Sequence, residues 1–211
     1  MIAQARVQSA YRRYSAERSS SGYTGVQVAR TLLQENGVFD VDVVQGNGQL
    51  SDHYDPRKRS IILSPGVYQD TSIAALAIAA HETGHALQHS ESYLPLALRN
   101  SIAPGIQISS SVAIPLFFAG LLLGLPFLIQ IGIYLFSAVV LFQLVTMPVE
   151  FDASRRALIA LDGFGFVTPE EYPKARKMLS AAALTYVASL MVSFLQLIRL
   201  LSLAGGNRRR R

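Results

Sequence analysis

The chain has 211 residues, half of them hydrophobic and only 16% charged, well below the roughly 25% charged residues of an average soluble domain. This length allows one compact domain plus extras and excludes a multidomain machine. With no cysteine, disulfide frameworks, thiolate-held zinc and thiol nucleophiles are excluded too. The net charge of +5 raises nucleic acid as a partner, a question that depends on where the basic residues sit relative to the apolar runs.

Met1 to Ser21 carries Arg6, Arg12, Arg13 and Arg18 but no apolar core, so it reads as neither a signal peptide nor an anchor. Thr24-Gly25-Val26-Gln27 fits a capping box and Asn36-Gly37 a C-cap, predicting a helix that points Val28, Ala29, Leu32 and Leu33 inward. Val38 to Val44 is rich in β-branched residues and reads as a strand. Gln49 to Tyr54 and Arg59 to Leu63 are expected to pair as a hairpin across Asp55-Pro56-Arg57-Lys58. Ser72 to Ser90 follows as a helix of strong formers.

That helix carries His81-Glu82-Thr83-Gly84-His85. Residues i and i+4 share one helical face, so both imidazoles can reach one zinc ion. Three such positions coincide by chance in about 0.2% of shuffled chains of this composition, so the motif is specific. Zinc lowers the pKa of a water, and Glu82, the neighbouring carboxylate, takes the proton as general base for attack on a peptide carbonyl.

Two histidines leave the ligand set incomplete, and four residues compete for third place. His89 lies eight positions from His81, about 12 Å of helix, too far for the same ion. Glu91 stands where metzincins place their third ligand, but Gln88 occupies the position of the glycine that turns the chain there. Asp162, in Leu161-Asp162-Gly163, resembles the ligand motif of site-2 intramembrane proteases. That reading needs the His81 motif inside a spanning helix, and the apolar run Ile73 to Ala80 is far shorter than the roughly 20 residues required.

Glu150 is favoured on topology. No Asp, Glu, Lys or Arg occurs between Arg99 and Glu150, a stretch of about 75 Å as helix and enough for two crossings of about 30 Å. Gly124-Leu125-Pro126 marks the bend, predicting helices over Pro104 to Leu123 and Pro126 to Met147. Gly120 and Gly124 form a GxxxG pair that fits a close-packed bend better than a dimer seam, with an oligomer left open. A hairpin returns the chain to the side it left, so Glu150 emerges on the side of the His81 helix. Glu150-Phe151-Asp152-Ala153-Ser154 then resembles the ExxA(D/S) arrangement of glutamate-type zincins. Ala153 is small enough for the metal helix to approach, and Ser154 or Asp152 can orient a ligand histidine.

Beyond it, Thr168-Pro169-Glu170-Glu171 reads as N-cap, N1 proline and capping-box glutamate, with Pro173 disturbing the first turn. Met178 to Ile198 is uncharged and long enough for a third span, although Thr185, Ser189, Ser193 and Gln196 leave open a helix half buried against protein. The expected fold is an α+β zincin-like domain of helix, small sheet and HExxH helix, with a transmembrane hairpin and a C-terminal membrane-spanning helix. Residues 1–100 form its N-terminal part and 101–148 the hairpin. Residues 149–177 complete the site, and 178–211 form the last span and a basic tail.

Ser51-Asp52-His53-Tyr54-Asp55-Pro56, the stretch from Ala79 to Gln88 and the stretch from Phe142 to Ala157 resemble the YugP-type neutral zinc metallopeptidases of bacteria over nearly the whole chain. The resemblance implies a membrane-bound zincin distantly related to the HtpX-type quality-control proteases. It carries over His81, His85 and Glu150 as ligands of one zinc ion and Glu82 as catalyst. Such proteins usually begin with a further membrane helix upstream, which does not stand here, and usually have Asn where this chain has Asp152.

In zincins the strand before the metal helix commonly pairs with substrate along its edge, which here points to Arg59 to Ser64. His53 and Tyr54 are candidate oxyanion donors, with local satisfaction in the hairpin an equal alternative. Arg6, Arg12, Arg13, Arg18, Arg155, Arg156, Lys174, Arg176 and Lys177 lie on the side of the site and favour a cytoplasmic active site. The tail Arg208 to Arg211 argues the other way if the last segment crosses. That tail reads as an anionic-lipid contact before it reads as a nucleic-acid one. The expected partners are a peptide or protein substrate and the bilayer. Two readings compete with the zinc endopeptidase: a site-2-type intramembrane protease using Asp162, and a non-proteolytic membrane protein with a structural zinc.

Overall fold

The computed structural model describes residues 2–208, with side chains to residue 205, and is mostly helical with one small sheet. The elements in chain order are α1 (Ile2–Tyr14), α2 (Gly25–Glu35), β1 (Asp42–Gln45), β2 (His53–Asp55), β3 (Ser60–Leu63), α3 (Pro65–Tyr68), α4 (Ile73–Ser90), α5 (Leu94–Leu122), α6 (Pro126–Gly163) and α7 (Tyr172–Arg208). They make two compact units. One comprises the chain up to Tyr93 together with Val149–Thr185, the other Leu94–Pro148 together with the chain from Tyr186 on.

In the first unit the expected helix starts and stops are present. Thr24 caps α2 through the full capping box with Gln27. The helix closes with Gly37 at φ +70° and the Val38 amide bonded back to the Leu33 carbonyl at 2.9 Å, a left-handed cap that suits glycine. Val38 is thus part of the helix end, and the strand expected from it begins only at Asp42. Ser72 caps α4, its hydroxyl accepting from the Ala75 amide at 3.2 Å.

The three strands lie in the order β1-β3-β2, with β1 parallel and β2 antiparallel to β3. The hairpin across residues 55–58 forms, Asp55 Oδ1 accepting from the Arg57 and Lys58 amides. One expectation is overturned here. The strand expected to pair with substrate, β3, has neighbours on both sides and offers no edge, so the outer strand next to it in the hairpin is β2.

Every residue from Ile73 to Ala80 is buried, so the first half of α4 is core all round rather than amphipathic. Around it pack Val28, Ala29 and Leu32 of α2, Ile61 and Leu63 of β3, and a stripe of α6 at intervals of four, with Ala157 and Leu161 joining this core. Thr168 and Glu171 exchange the two capping bonds expected of them, at 3.0 and 3.3 Å, but as a turn that leads into α7 at Tyr172.

In the second unit, α5 and the first part of α6 meet at Gly124, whose φ of +66° and the Leu125-to-Gly120 bond of 2.8 Å make the predicted bend. Both helices run past the proline limits expected for them. α5 starts at Leu94 with Pro104 and Pro115 inside, and α6 continues through Pro148 to Gly163. A proline removes one donor and strains one turn, and the regular turns on either side of each proline carry the helix through.

Gly120 packs where a Cβ would stand 2.7 Å from the Ile129 nitrogen, and Gly132 where one would stand 2.8 Å from the Ala113 carbonyl oxygen. The small residues therefore serve the hairpin's own packing. Ala113, Phe117, Ile129, Phe136, Val140 and Leu200 form this unit's core, and Gln143 donates to the Ser193 hydroxyl at 3.0 Å.

Phe127, Tyr134, Leu141, Met191, Val192 and Leu195 stay exposed. Three helices, α5, α6 and the Tyr172–Gly205 part of α7, are long and apolar enough to cross a membrane. Within residues 178–198 partly buried positions outnumber exposed ones, so burial does not separate a span from a helix half buried against protein. The side chains of the Arg208 to Arg211 tail lie outside the described residues.

Candidate metal centre

The motif occupies the second half of α4. His81 and His85 stack edge to face with centroids 4.8 Å apart, the arrangement that i and i+4 imidazoles take on one helical face. Glu150, on α6 two residues after Pro148, is 3% exposed and brings Oε2 to 3.4 Å from His81 Nε2 and 3.7 Å from His85 Nε2. Among the described residues these three form the group able to hold a metal ion, all donor atoms lying within 4.8 Å of one another. Ligands about 2.1 Å from a tetrahedral zinc stand roughly 3.4 Å apart, close to the 3.4 and 3.7 Å nitrogen–carboxylate separations here. Two imidazole nitrogens and one carboxylate oxygen are also a donor set that would suit zinc.

The close approach of the two helices has a local cause. A Cβ on Gly84 would stand 2.9 Å from the Ala153 carbonyl oxygen and 3.2 Å from its Cα. Gly84 inside the motif and Ala153 one turn after Glu150 are the small pair that lets α4 meet α6.

The remaining ring nitrogens are occupied. His81 Nδ1 lies 3.1 Å from the Ser154 hydroxyl, and His85 Nδ1 lies 3.0 Å from Gln88 Oε1. Gln88 Nε2 donates in turn to the Val149 carbonyl at 2.8 Å and to Asp152 Oδ2 at 3.0 Å. Asp152 therefore reaches a ligand histidine only through Gln88, a residue the sequence reading met as the obstacle to a metzincin pattern. The spacing of His85 and Gln88, i and i+3 on one helix, was the available signal.

Burial pushes the His85 imidazole down, but the Glu150 carboxylate facing it and the charge of Glu82 pull it up, and the balance lies above the ordinary histidine value. Glu82 follows His81 directly and is half-buried.

The other candidate ligands have other positions. His89 Nδ1 is 2.7 Å from the Tyr54 hydroxyl. Glu91 pairs with Arg156 at 2.8 Å, and Arg156 also holds Asp152. Asp162 is exposed near the end of α6, about 18 Å along the helix from Glu150. Of the two oxyanion candidates, Tyr54 is half-buried against α4 through His89, while His53 is exposed with Nδ1 2.7 Å from the Ser51 carbonyl.

The chain is 50% identical over 197 residues to "Putative membrane protease YugP" of Bacillus subtilis (strain 168), covering 93% of this chain and 88% of that protein. No solved structure matches it. A family model matches residues 1–205, and the chain belongs to the family described as "Putative neutral zinc metallopeptidase".

Proposed function

We propose that this chain is a zinc-dependent endopeptidase of the gluzincin type, integral to the bacterial cell membrane with several crossings. The observation that carries the reading is the approach of His81 Nε2 and His85 Nε2 on α4 to Glu150 Oε2 on α6, at 3.4 and 3.7 Å, with the carboxylate of Glu82 next to His81 in the chain.

His81, His85 and Glu150 would hold one zinc ion, which supplies Lewis acidity and an acidified water at neutral pH. Glu82 receives the proton of the attacking water and returns it to the departing amine. Ser154 orients His81, and Asp152 acts through Gln88. Tyr54 or His53 would supply a donor to the oxyanion. A zincin-like arrangement follows, with residues 1–100 and 149–177 building the peptidase part, and 101–148 and 178–211 the membrane part. Substrates are unfolded or membrane-associated protein segments, consistent with a quality-control role, and the basic residues near the site favour its cytoplasmic placement.

The test uses the detergent-purified full chain. Glu82→Gln is expected to keep zinc while lowering peptide cleavage by about 10²- to 10⁴-fold. Cleavage undiminished in Glu82→Gln, or absent from the zinc-loaded wild type on any unfolded substrate, would instead support a structural zinc.

A further inference from the structure

Gln88 is completely buried and uses both ends of its amide. Two acceptors, the Val149 carbonyl and Asp152 Oδ2, face one end, so that end is the nitrogen. The oxygen then faces His85 Nδ1 at 3.0 Å. That ring nitrogen must carry the hydrogen, and Nε2, 3.7 Å from Glu150 Oε2, keeps its lone pair for an ion.

The same amide grips the main chain at Val149, the residue before Glu150. Asp152, its other acceptor, is clamped by Arg155 at 2.9 Å and by Arg156 at 2.5 Å. A side chain of this volume could be apolar, and a buried amide is tolerated only when its bonds are met.

We propose that Gln88 is a positioning residue for zinc, setting the tautomer of His85 and the placement of Glu150 with one side chain. The inference rests on the His81, His85 and Glu150 reading of the site. His81 is independent of it, because its Nδ1 meets Ser154 instead.

The experiment measures zinc affinity by chelator competition and the visible absorption band of the cobalt(II)-loaded full chain in detergent. Gln88→Met fills the volume without the bonds. It is expected to weaken zinc by about 10- to 100-fold and to alter the cobalt band, with far-UV circular dichroism unchanged. Gln88→Glu keeps the volume and an acceptor for His85 but has no donor for the Val149 carbonyl, and Asp152→Asn relieves its repulsion with residue 152 without supplying one. The pair is expected to fold and still to bind zinc about 10-fold more weakly than wild type, whereas a packing role predicts wild-type affinity.

Zinc affinity and cobalt band of Gln88→Met within about twofold of wild type would overturn the proposal while leaving the site intact. Where Gln88→Met does not fold, zinc affinity of the pair within about twofold of wild type overturns it equally. Zinc binding indifferent to Glu150→Gln would overturn the site reading itself, and Gln88 with it.

Discussion

Helix α6 follows one packing rule before Pro148 and another after it. Up to Pro148 it leaves Phe127, Tyr134, Leu141 and Leu144 exposed and packs through glycine and a few large side chains. From Val149 onward, Val149, Ala153, Ala157 and Leu161 are at most 1% exposed and spaced four apart, and Asp152, Ser154, Arg155 and Arg156 beside them each make a side-chain bond. The first stretch is built for an apolar solvent, where exposed hydrophobic residues cost nothing and small residues allow backbones to close in. The second is built for water outside and a dry core inside, where a buried carboxylate such as Glu150 has to face compensating groups. The candidate metal centre sits just past the point where the rule changes.

The largest effect that could break this comparison is expected at Glu150. Replacing it by Gln keeps the shape and removes the anionic donor, which should weaken zinc by about 100-fold or more. Asp162→Asn should leave zinc content untouched, by elemental analysis of the detergent-purified chain. Zinc retained by the first variant and lost in the second would move the third ligand to Asp162 and revive an intramembrane mechanism.

Next comes the glycine contrast. Gly84→Leu pushes a side chain against the Ala153 backbone and Gly132→Leu against the Ala113 carbonyl and Phe117. Each should lower stability by about 1–3 kcal/mol through overpacking, read as a fall in thermal midpoint. Only Gly84→Leu should also reduce zinc per folded chain. Equal zinc loss in both would show that the hairpin's packing and the metal centre are not separable.

The smallest effect is electrostatic and lies away from the metal. Burial pushes Glu171 up, but the amides of Thr168 and Ser20 and the Ser19 hydroxyl outweigh it and hold its carboxyl below the ordinary value. A lowered folded-state value gives stability that is present above the unfolded carboxylate range and is lost as pH falls through the folded value. Glu171→Gln should therefore cost about 1–2 kcal/mol at pH 7, and its gap to wild type should narrow below about pH 4. Denaturant melts at the two pH values check this, and a constant gap would mean the charge is not what those bonds recognise.

Much of the site was legible because its parts obey local rules. The His81 and His85 pairing follows from helical period alone, and the boundaries of α2 and α4 from their caps. Glu150 was reachable by a different route, the parity of two crossings, which needs only the length of the uncharged run. The hidden parts are those with no local signature. Gln88 looks like any polar residue after a histidine, since its partners at Val149 and Asp152 are more than sixty residues away in sequence. The position of β3 in the middle of the sheet depends on β1, whose pairing is parallel and therefore non-local. The prolines misled because they mark lost hydrogen bonds, while the helices around Pro104, Pro115 and Pro148 continue through neighbouring turns.

The amino-acid sequence by itself determined the class of chemistry, the three apolar helices and the caps that start α2 and α4, because helical period, charge exclusion and capping act within a few residues. Only the tertiary structure decided the distances at which Glu150 faces both imidazoles, that Gly84 is the residue meeting Ala153, and that Gln88 joins the two ligand helices. Those facts depend on distances between segments far apart in the chain, set by how α4 and α6 pack, and no local pattern encodes them.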